Sequence, residues 1–501
     1  MSNKKNILLC DFDDVFWVDI FKGMEKELNL KIHTIIDYKE KIYPELKSKE
    51  INCNFFDIRD AAKGIGFSKY EKTIDNRFNK KLDNYIPFLI DMMSRFDPDG
   101  ESFTKNEKLQ HIRKLFTIWL NYLKNEKIDI FFCKCTPHQV YDYIIFICCK
   151  ILNIKVLFFN YTYFENLSFL NNDPDNRIIR DELSSQTSIK NIRRYVLNKK
   201  KNINKLHKIG APKYIKQNKL LEPTFTSFLM FLFIILKKFF YFGLSLRLNK
   251  NCFYQFKKKN IKFSKKKYFT NLEFIYFKFK MLFVQYNYIK FYDSVAKNKI
   301  PKKYIFFASN HQPEASSNSE CGLFFYDQYK ALKYLNENIP DEFKIIYKEH
   351  PSSFNPLKFG YQKRSLNYYK KISSLSKIII LDINYDTFDL IKKSNFVATV
   401  SGQIGFEALC KETSTIIFSK TWYSNFKNIF ECYPLKKLKK IPFNNSKFKK
   451  FNWHSFEKKI QKCLDSKIIR AQDNSDKLNN NTIKKEKKII LSYIVRNFNK
   501  L

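Results

Sequence analysis

Two short segments late in the chain carry the residue types that phosphate and proton chemistry require. In KIIYKEHPSSF (344–354), Lys348, Glu349 and His350 follow directly on an apolar run and are closed by Pro351. A histidine held by a stiff turn can give a hydrogen bond or a proton to a phosphate oxygen, offsetting charge on a leaving nucleotide. In VSGQIGFEAL (400–409), Ser401 and Gly402 precede a helix-like stretch that contains Glu407. Free N–H groups and the dipole at a helix start favour phosphate, and a carboxylate one to two turns further on can meet ribose hydroxyls. A polar stretch, NHQPEASSNSECG (310–322), adds His311, Gln312 and Glu314. Near the N-terminus, Asp13 and Asp14 in NILLCDFDD, and later His138 in IDIFFCKCTPHQ, are candidates to accept a hydroxyl proton. Each residue also has an ordinary structural alternative. Ser401 and Asp14 can cap helices, Glu407 can face solvent, and His350 can be a loop histidine.

These residues fall at the ends of apolar runs, and the runs alternate with helical periods. Over 303–419 the strand-like runs are 303–309, 343–348, 377–381, 395–400 and 414–419. Helical patterns at 324–338, 364–375, 385–393 and 403–411 lie between them. The N-terminal part repeats the pattern with strands at 6–10, 32–36, 128–133 and 154–159 and helices at 13–28 and 139–152. Such alternation predicts parallel sheets with crossover helices, and ligands bind such sheets outside the carboxyl ends of the strands. The fold class expected is α/β, with two Rossmann-type lobes facing a cleft in a GT-B-like arrangement, a basic helical insert and a helical C-terminal tail. The boundaries read as 1–176, 177–300, 301–435 and 436–501.

The formal net charge is +42, from 91 Lys and Arg against 49 Asp and Glu. That excess suits phosphorylated substrates, anionic lipid or nucleic acid. No nucleic-acid-binding module is recognisable, however, and the abundance of Lys, Asn, Ile, Phe and Tyr also fits simple compositional bias. The 11 cysteines sit among apolar neighbours, as reduced buried thiols do, and the pair Cys133 and Cys135 is too close for a zinc knuckle. There is no G-x-G-x-x-G after a strand and no Walker A sequence, so neither a nicotinamide nor an ATP site is indicated. No signal peptide is read at the N-terminus. The run 225–246 is apolar and aromatic, but two lysines interrupt it and about 20 apolar residues are needed to span a bilayer. Peripheral contact with an anionic membrane is the expectation for that segment.

Taken together, HQPEASS followed by GLFFYDQ, then KEHP, then VSGQIGFEALCKETSTIIFSKTWY, resemble the capsular polysaccharide biosynthesis glycosyltransferases, a group that includes the bacterial Kdo transferases. CKCTPHQVYDYIIFICCKILNIKVLFF resembles the acceptor-side lobe of that family. The resemblance implies a metal-independent GT-B glycosyltransferase with no cofactor, using a nucleotide sugar as substrate. An HP motif and a serine at the next helix start also occur in bacterial sialyltransferases, which makes a CMP-activated acidic sugar such as Kdo the first expectation. It further implies donor binding by His311, Gln312, Glu314, Lys348, Glu349, Ser401, Gly402 and Glu407, with His350 facing the donor phosphate. Asp13 or Asp14 would serve as base, with His138 on the acceptor side. Implied partners are a glycan or glycolipid acceptor and other capsule assembly proteins, with the protein cytoplasmic and peripheral at the inner membrane face. Gln403 departs from the bulkier or hydroxylated residue frequent in the family. A CDP-glycerol-type glycerophosphotransferase and a non-enzymatic nucleic-acid-binding protein are the competing readings.

Overall fold

The computed structural model describes residues 4–95, 103–162, 167–180, 183, 229, 233, 271–312, 314–354, 364–432, 441, 443, 469–470 and 480–501. The chain divides into two compact units. The first is Met1–Met92, Lys105–Lys199 and His454–Leu501, and the second is Met93–Thr104 and Lys200–Trp453.

The first unit is built on a sheet of β1 (Lys5–Cys10), β2 (Leu30–Asp37), β3 (Asn54–Asp57), β4 (Ile130–Cys133), β5 (Lys155–Tyr161), β6 (Leu167–Asn171) and β13 (Ile469–Arg470). Its order is β13-β6-β5-β4-β1-β2-β3. β1 to β5 run parallel, while β6 and β13 close one edge antiparallel. The chain winds outward from β1 through β2 and β3, then crosses to β4, so the switch point lies between β1 and β4. Helix Phe16–Glu27 buries Phe16, Trp17, Val18, Ile20, Phe21 and Met24. Helix Val140–Leu152 is buried along its first ten residues, consistent with a nearly unbroken apolar sequence. Lys105–Asn125, a helix not anticipated from the sequence, carries a stripe of Ile112, Leu115, Phe116, Trp119 and Leu123 into the core.

The described residues 469–470 and 480–501 of the tail belong to this unit. β13 adds to β6, and helix Asn480–Phe498 packs on helix Phe16–Glu27. Gly23 makes that approach possible, since a Cβ there would run into Leu491 Cδ2. Lys487 adds a bond to Asp19 at 2.6 Å.

The second unit carries an all-parallel sheet of β7 (Tyr304–Ala308), β8 (Lys344–Lys348), β9 (Ile378–Ile380), β10 (Phe396–Thr399), β11 (Ser414–Ile417) and β12 (Ile429–Glu431). Its order is β12-β11-β10-β7-β8-β9. Ile305 and Phe307 face one core, Tyr304 and Phe306 the other, so both faces of the sheet are covered and its strands read as continuous apolar runs. Helix Asn271–Val295 belongs to this unit rather than to a separate insert. Tyr292 is fully buried, and its hydroxyl donates to Leu381 O at 2.6 Å and accepts from Glu349 N at 3.1 Å. The expected membrane-facing run 225–246 lies, except for Leu229 and Phe233, outside the described residues. Among the described residues no helix is long and apolar enough to cross a membrane.

The close approach at Gly23 gives a direct test. G23A should destabilise the first unit by about 1–3 kcal/mol, the usual range for overpacking. The G23A/L491A double variant should cost less than the sum of its parts, as read by chemical denaturation.

Candidate functional site

The second sheet switches direction between β7 and β10, and a cavity of about 420 Å³ opens at the carboxyl ends of these strands and of β8. Ser309, Asn310 and His311 line it from the end of β7, Lys348 and His350 from β8, and Gly402, Gln403, Ile404 and Glu407 from β10. Glu314 and Ser316 contribute from the loop after β7. The stretch Ile383–Phe388, after β9, supplies a wall that the sequence did not single out.

Behind the cavity lies a buried ion pair. Glu349 and Arg364 have side chains 0% and 1% exposed, with Arg364 Nε to Glu349 Oε2 at 2.6 Å and Nη2 to Oε1 at 3.0 Å. The carboxylate also accepts from the hydroxyls of Ser309 (2.7 Å), Tyr347 (2.7 Å), Tyr369 (2.9 Å) and Ser353 (3.1 Å) and from His350 N (2.8 Å). Burial alone would disfavour the anion, but the Arg364 charge and these donors prevail and hold the carboxyl down at about 2. Arg364 continues to Gln312 Oε1 at 2.6 Å and to Asn310 O at 3.2 Å. One ion pair thus ties together the turns after β7 and β8.

Asn310 joins β10 to the same frame. Its backbone is gripped by Gln328, with N to Oε1 at 2.8 Å and Nε2 to O at 2.9 Å. Its side chain accepts from Thr399 Oγ1 at 3.0 Å and donates to Ser316 O at 3.2 Å and Ser401 Oγ at 3.3 Å. The close approach of Thr399 and Asn310 explains Gly402, where a Cβ would stand 2.7 Å from Thr399 Oγ1 and 3.1 Å from Asn310 Oδ1.

Two polar groups reach the cavity from β8. Lys348, 4% exposed, donates to Tyr385 O and to Thr387 Oγ1, both at 2.6 Å, which leaves one ammonium N–H for a ligand. Burial lowers its pKa to about 8, despite the opposing charges of Asp386 and Asp382. His350 Nδ1 accepts from Ser352 N at 3.2 Å, which places the ring proton on Nε2. Burial, countered by Glu349 and reinforced by Arg364 and Lys348, brings the ring down to about 4, so at neutral pH it is an uncharged N–H donor. The remaining lining is mixed. Glu314, Asp386 and Glu407 are carboxylates, while Ala308, Ile383, Phe388 and Ile404 are apolar.

Of the residues expected to hold a donor, His311, Glu314, Lys348, Gly402 and Glu407 line this cavity together with His350. Three do not, and each has another task. Glu349 is the buried partner of Arg364. Gln312 is held by Arg364, Tyr326 O and Ser317 O. The Ser401 hydroxyl bonds to Ser316 O, and the helix it was expected to open starts only at Ile404 and runs six residues.

The carboxyl edge of the first sheet brings the other candidates together differently. Asp14 Oδ1 accepts from Phe16 N at 2.8 Å, a capping role at the helix start. Asp13 pairs with Lys134 at 2.5 Å and more loosely with Lys41 at 3.4 Å. His138 Nδ1 faces Thr136 O at 2.8 Å, and its backbone N donates to Asp142 Oδ2 at 3.1 Å. Asp37 accepts from the N–H groups of Phe12, Asp13 and Tyr38 at 2.7–2.9 Å, and burial pushes its carboxyl up to about 7. Asp11 was passed over in the sequence. Burial, and then the neighbouring Asp37, Asp142 and Asp13, raise its pKa well above the usual range.

Comparison with known proteins agrees with the motif resemblance. Residues 285–426 match the family model for capsule polysaccharide biosynthesis proteins, a span that includes the whole cavity lining. No curated protein matches the chain. Among solved structures, a β-Kdo 2,7 transferase, KpsC of Thermosulfurimonas dismutans, aligns at 18% identity over 30% of this chain and 46% of that one, with a TM-score of 0.21. The chain thus spans less than half the length of that protein. A glycosyltransferase from Rickettsia africae aligns at 13% identity over 99% of both chains, with a TM-score of 0.23. The UDP-GlcNAc 2-epimerase of Methanocaldococcus jannaschii, in complex with UDP-GlcNAc and UDP, aligns at 13% identity over 98% of this chain and 99% of that one, with a TM-score of 0.21.

The buried pair sets a stability test. R364M strands the Glu349 carboxylate and should cost about 3–5 kcal/mol, with partial recovery in R364M/E349Q. Because the folded Glu349 carboxyl lies below its ordinary value of 4.5, its stabilising contribution is complete above that pH and fades as pH falls from 4.5 toward 2. Urea titrations at pH 7 and pH 3 should show that loss in the unmodified protein and a smaller one in E349Q.

Proposed function

We propose that the chain is a glycosyltransferase of capsular or surface polysaccharide synthesis, transferring a sugar from a nucleotide donor held in the cavity of the second unit. The observation that carries this reading is the pairing of the Lys348 ammonium with the neutral His350 N–H at one cavity wall, within the span matched to the capsule family. The pair supplies one charge and one directed donor for the phosphate that leaves with the nucleotide. The carboxylates of Glu314 and Glu407 suit ribose hydroxyls, and the Ile383–Phe388 wall suits a base. In the transfer, the bond from the anomeric carbon to the phosphate oxygen breaks and its electron pair stays on the phosphate, while the acceptor oxygen bonds to carbon and gives up its proton to a carboxylate base or to water. Transition-state charge on the phosphate is met by groups already in place.

A CMP-activated acidic sugar such as Kdo is the donor proposed, with a lipid-linked or glycan acceptor and action at the inner face of the cytoplasmic membrane. Transfer is proposed to need no metal, with Lys348 and His350 addressing the phosphate instead. Mass spectrometry of nucleotide release and product mass over a panel of nucleotide sugars and CDP-glycerol tests the reading. Release of CMP from CDP-glycerol alone would favour glycerophosphate transfer instead. Activity should persist in excess EDTA.

H350A should lower turnover by about two orders of magnitude with the fold retained, the usual worth of a positioned donor. Near-normal turnover would remove His350 from the site. Since Lys348 loses its charge as pH rises through about 8, CMP affinity should weaken between pH 7 and 9 and stay flat over that range in K348M. Isothermal titration at each pH reads this.

A further inference from the structure

The loop after β7 satisfies its own polar groups unevenly. Ser316 O receives three donors: Asn310 Nδ2 at 3.2 Å, Cys321 Sγ at 2.9 Å and the Ser401 hydroxyl. A carbonyl has two lone pairs, so one of these donors is surplus. Two residues further on the balance reverses. Asn318 and Ser319 are both 0% exposed, and Asn318 Oδ1, Asn318 Nδ2 and Ser319 Oγ have no hydrogen-bond partner. Buried polar groups are nearly always paired, so three stranded atoms in consecutive residues destabilise this conformation of the loop.

The surplus donor shows what can compete with that conformation. Ser401 is 3% exposed and is absent from the cavity wall, while Ser316 belongs to it. The Ser401 hydroxyl is thus engaged by a carbonyl of the wall rather than turned into the cavity. Gly402, the next residue, does reach the cavity, together with Lys348 and His350. A phosphate held there offers anionic oxygens, which accept more strongly than a neutral carbonyl. The segment that would yield is short. It begins at Glu314, itself in the wall, and ends at Gly322, where a φ of 72° suits glycine and helix Gly322–Phe325 starts.

We infer that loop 314–322 is an autoinhibitory strap. Its Ser316 carbonyl holds the Ser401 hydroxyl off the cavity until a nucleotide phosphate takes that hydroxyl, and the loop then leaves the state in which Asn318 and Ser319 are stranded. The inference rests on the nucleotide-donor reading of the cavity. It follows that whatever stabilises the strapped state weakens phosphate binding by the same factor.

Hydrogen-exchange mass spectrometry of the full chain, alone and with saturating CMP or cytidine, tests this. CMP should change exchange in peptides covering 314–322 by about threefold or more, and cytidine, which lacks the phosphate, should not. In S401A, which removes the contested hydroxyl, those peptides should exchange alike with and without CMP. S319A deletes one stranded hydroxyl and adds no volume. It should raise the melting temperature and weaken CMP binding about threefold or more, as read by isothermal titration. Unchanged exchange in the loop with CMP bound, an equal response to cytidine, or unaltered CMP binding in a stabilised S319A would overturn the inference and leave the donor reading intact. A destabilised S319A, the result expected if buried water already pairs with that hydroxyl, would also overturn it. Absence of CMP binding in the unmodified protein would overturn both.

Discussion

The Glu349–Arg364 pair is the constraint around which the second unit's cavity is arranged. A carboxylate and a guanidinium taken fully out of water survive only with each other and with every remaining lone pair and N–H satisfied. Meeting that demand recruits hydroxyls from β7, β8 and the helix Leu366–Ser373, and it pins the backbone of Asn310 and the amide of Gln312. His350 follows directly, because its N–H is one of the donors the carboxylate uses. The histidine is therefore placed by its neighbour's electrostatics as much as by the proline after it.

The same logic accounts for residues that a sequence motif groups without ranking. In KEHP, the lysine and the histidine meet the cavity and the glutamate between them faces the core. In YDQ, Asp327 caps a helix by accepting from Tyr329 N at 3.1 Å, while Gln328 clasps the backbone of Asn310. Alternation along an extended segment sends neighbours to opposite sides, so adjacent polar residues need not share a task.

Much of the scaffold was readable. The five strand runs of the second unit and four of the first lie within two residues of the observed elements, because buried parallel strands are short apolar blocks bounded by polar loops. The cavity's place at the strand ends followed from the same pattern. Less visible were short edge strands, such as Ile429–Glu431, whose three residues carry no periodicity, and β13, separated from its partner β6 by nearly 300 positions. Arg364 was missed because an arginine at the start of a helical pattern looks like surface until a buried carboxylate is seen beside it. Ser401 was misjudged because its spacing fits a cap, whereas the carbonyl it bonds, that of Ser316, comes from another loop. Asp11 was set aside for Asp13 and Asp14, since nothing in DFDD tells which carboxylate its neighbours will occupy.

The return of helix Asn480–Phe498 to helix Phe16–Glu27 has a consequence for biosynthesis. The residues of the second sheet all emerge from the ribosome before position 432, so that unit can close while synthesis continues. The first unit cannot. Its helix Phe16–Glu27, with Gly23 presented for Leu491, waits through the translation of more than 450 further residues for its cover. During that interval the helix face around Gly23 lacks the cover that helix Asn480–Phe498 gives it in the folded protein, so the first unit is completed after the second sheet has been made.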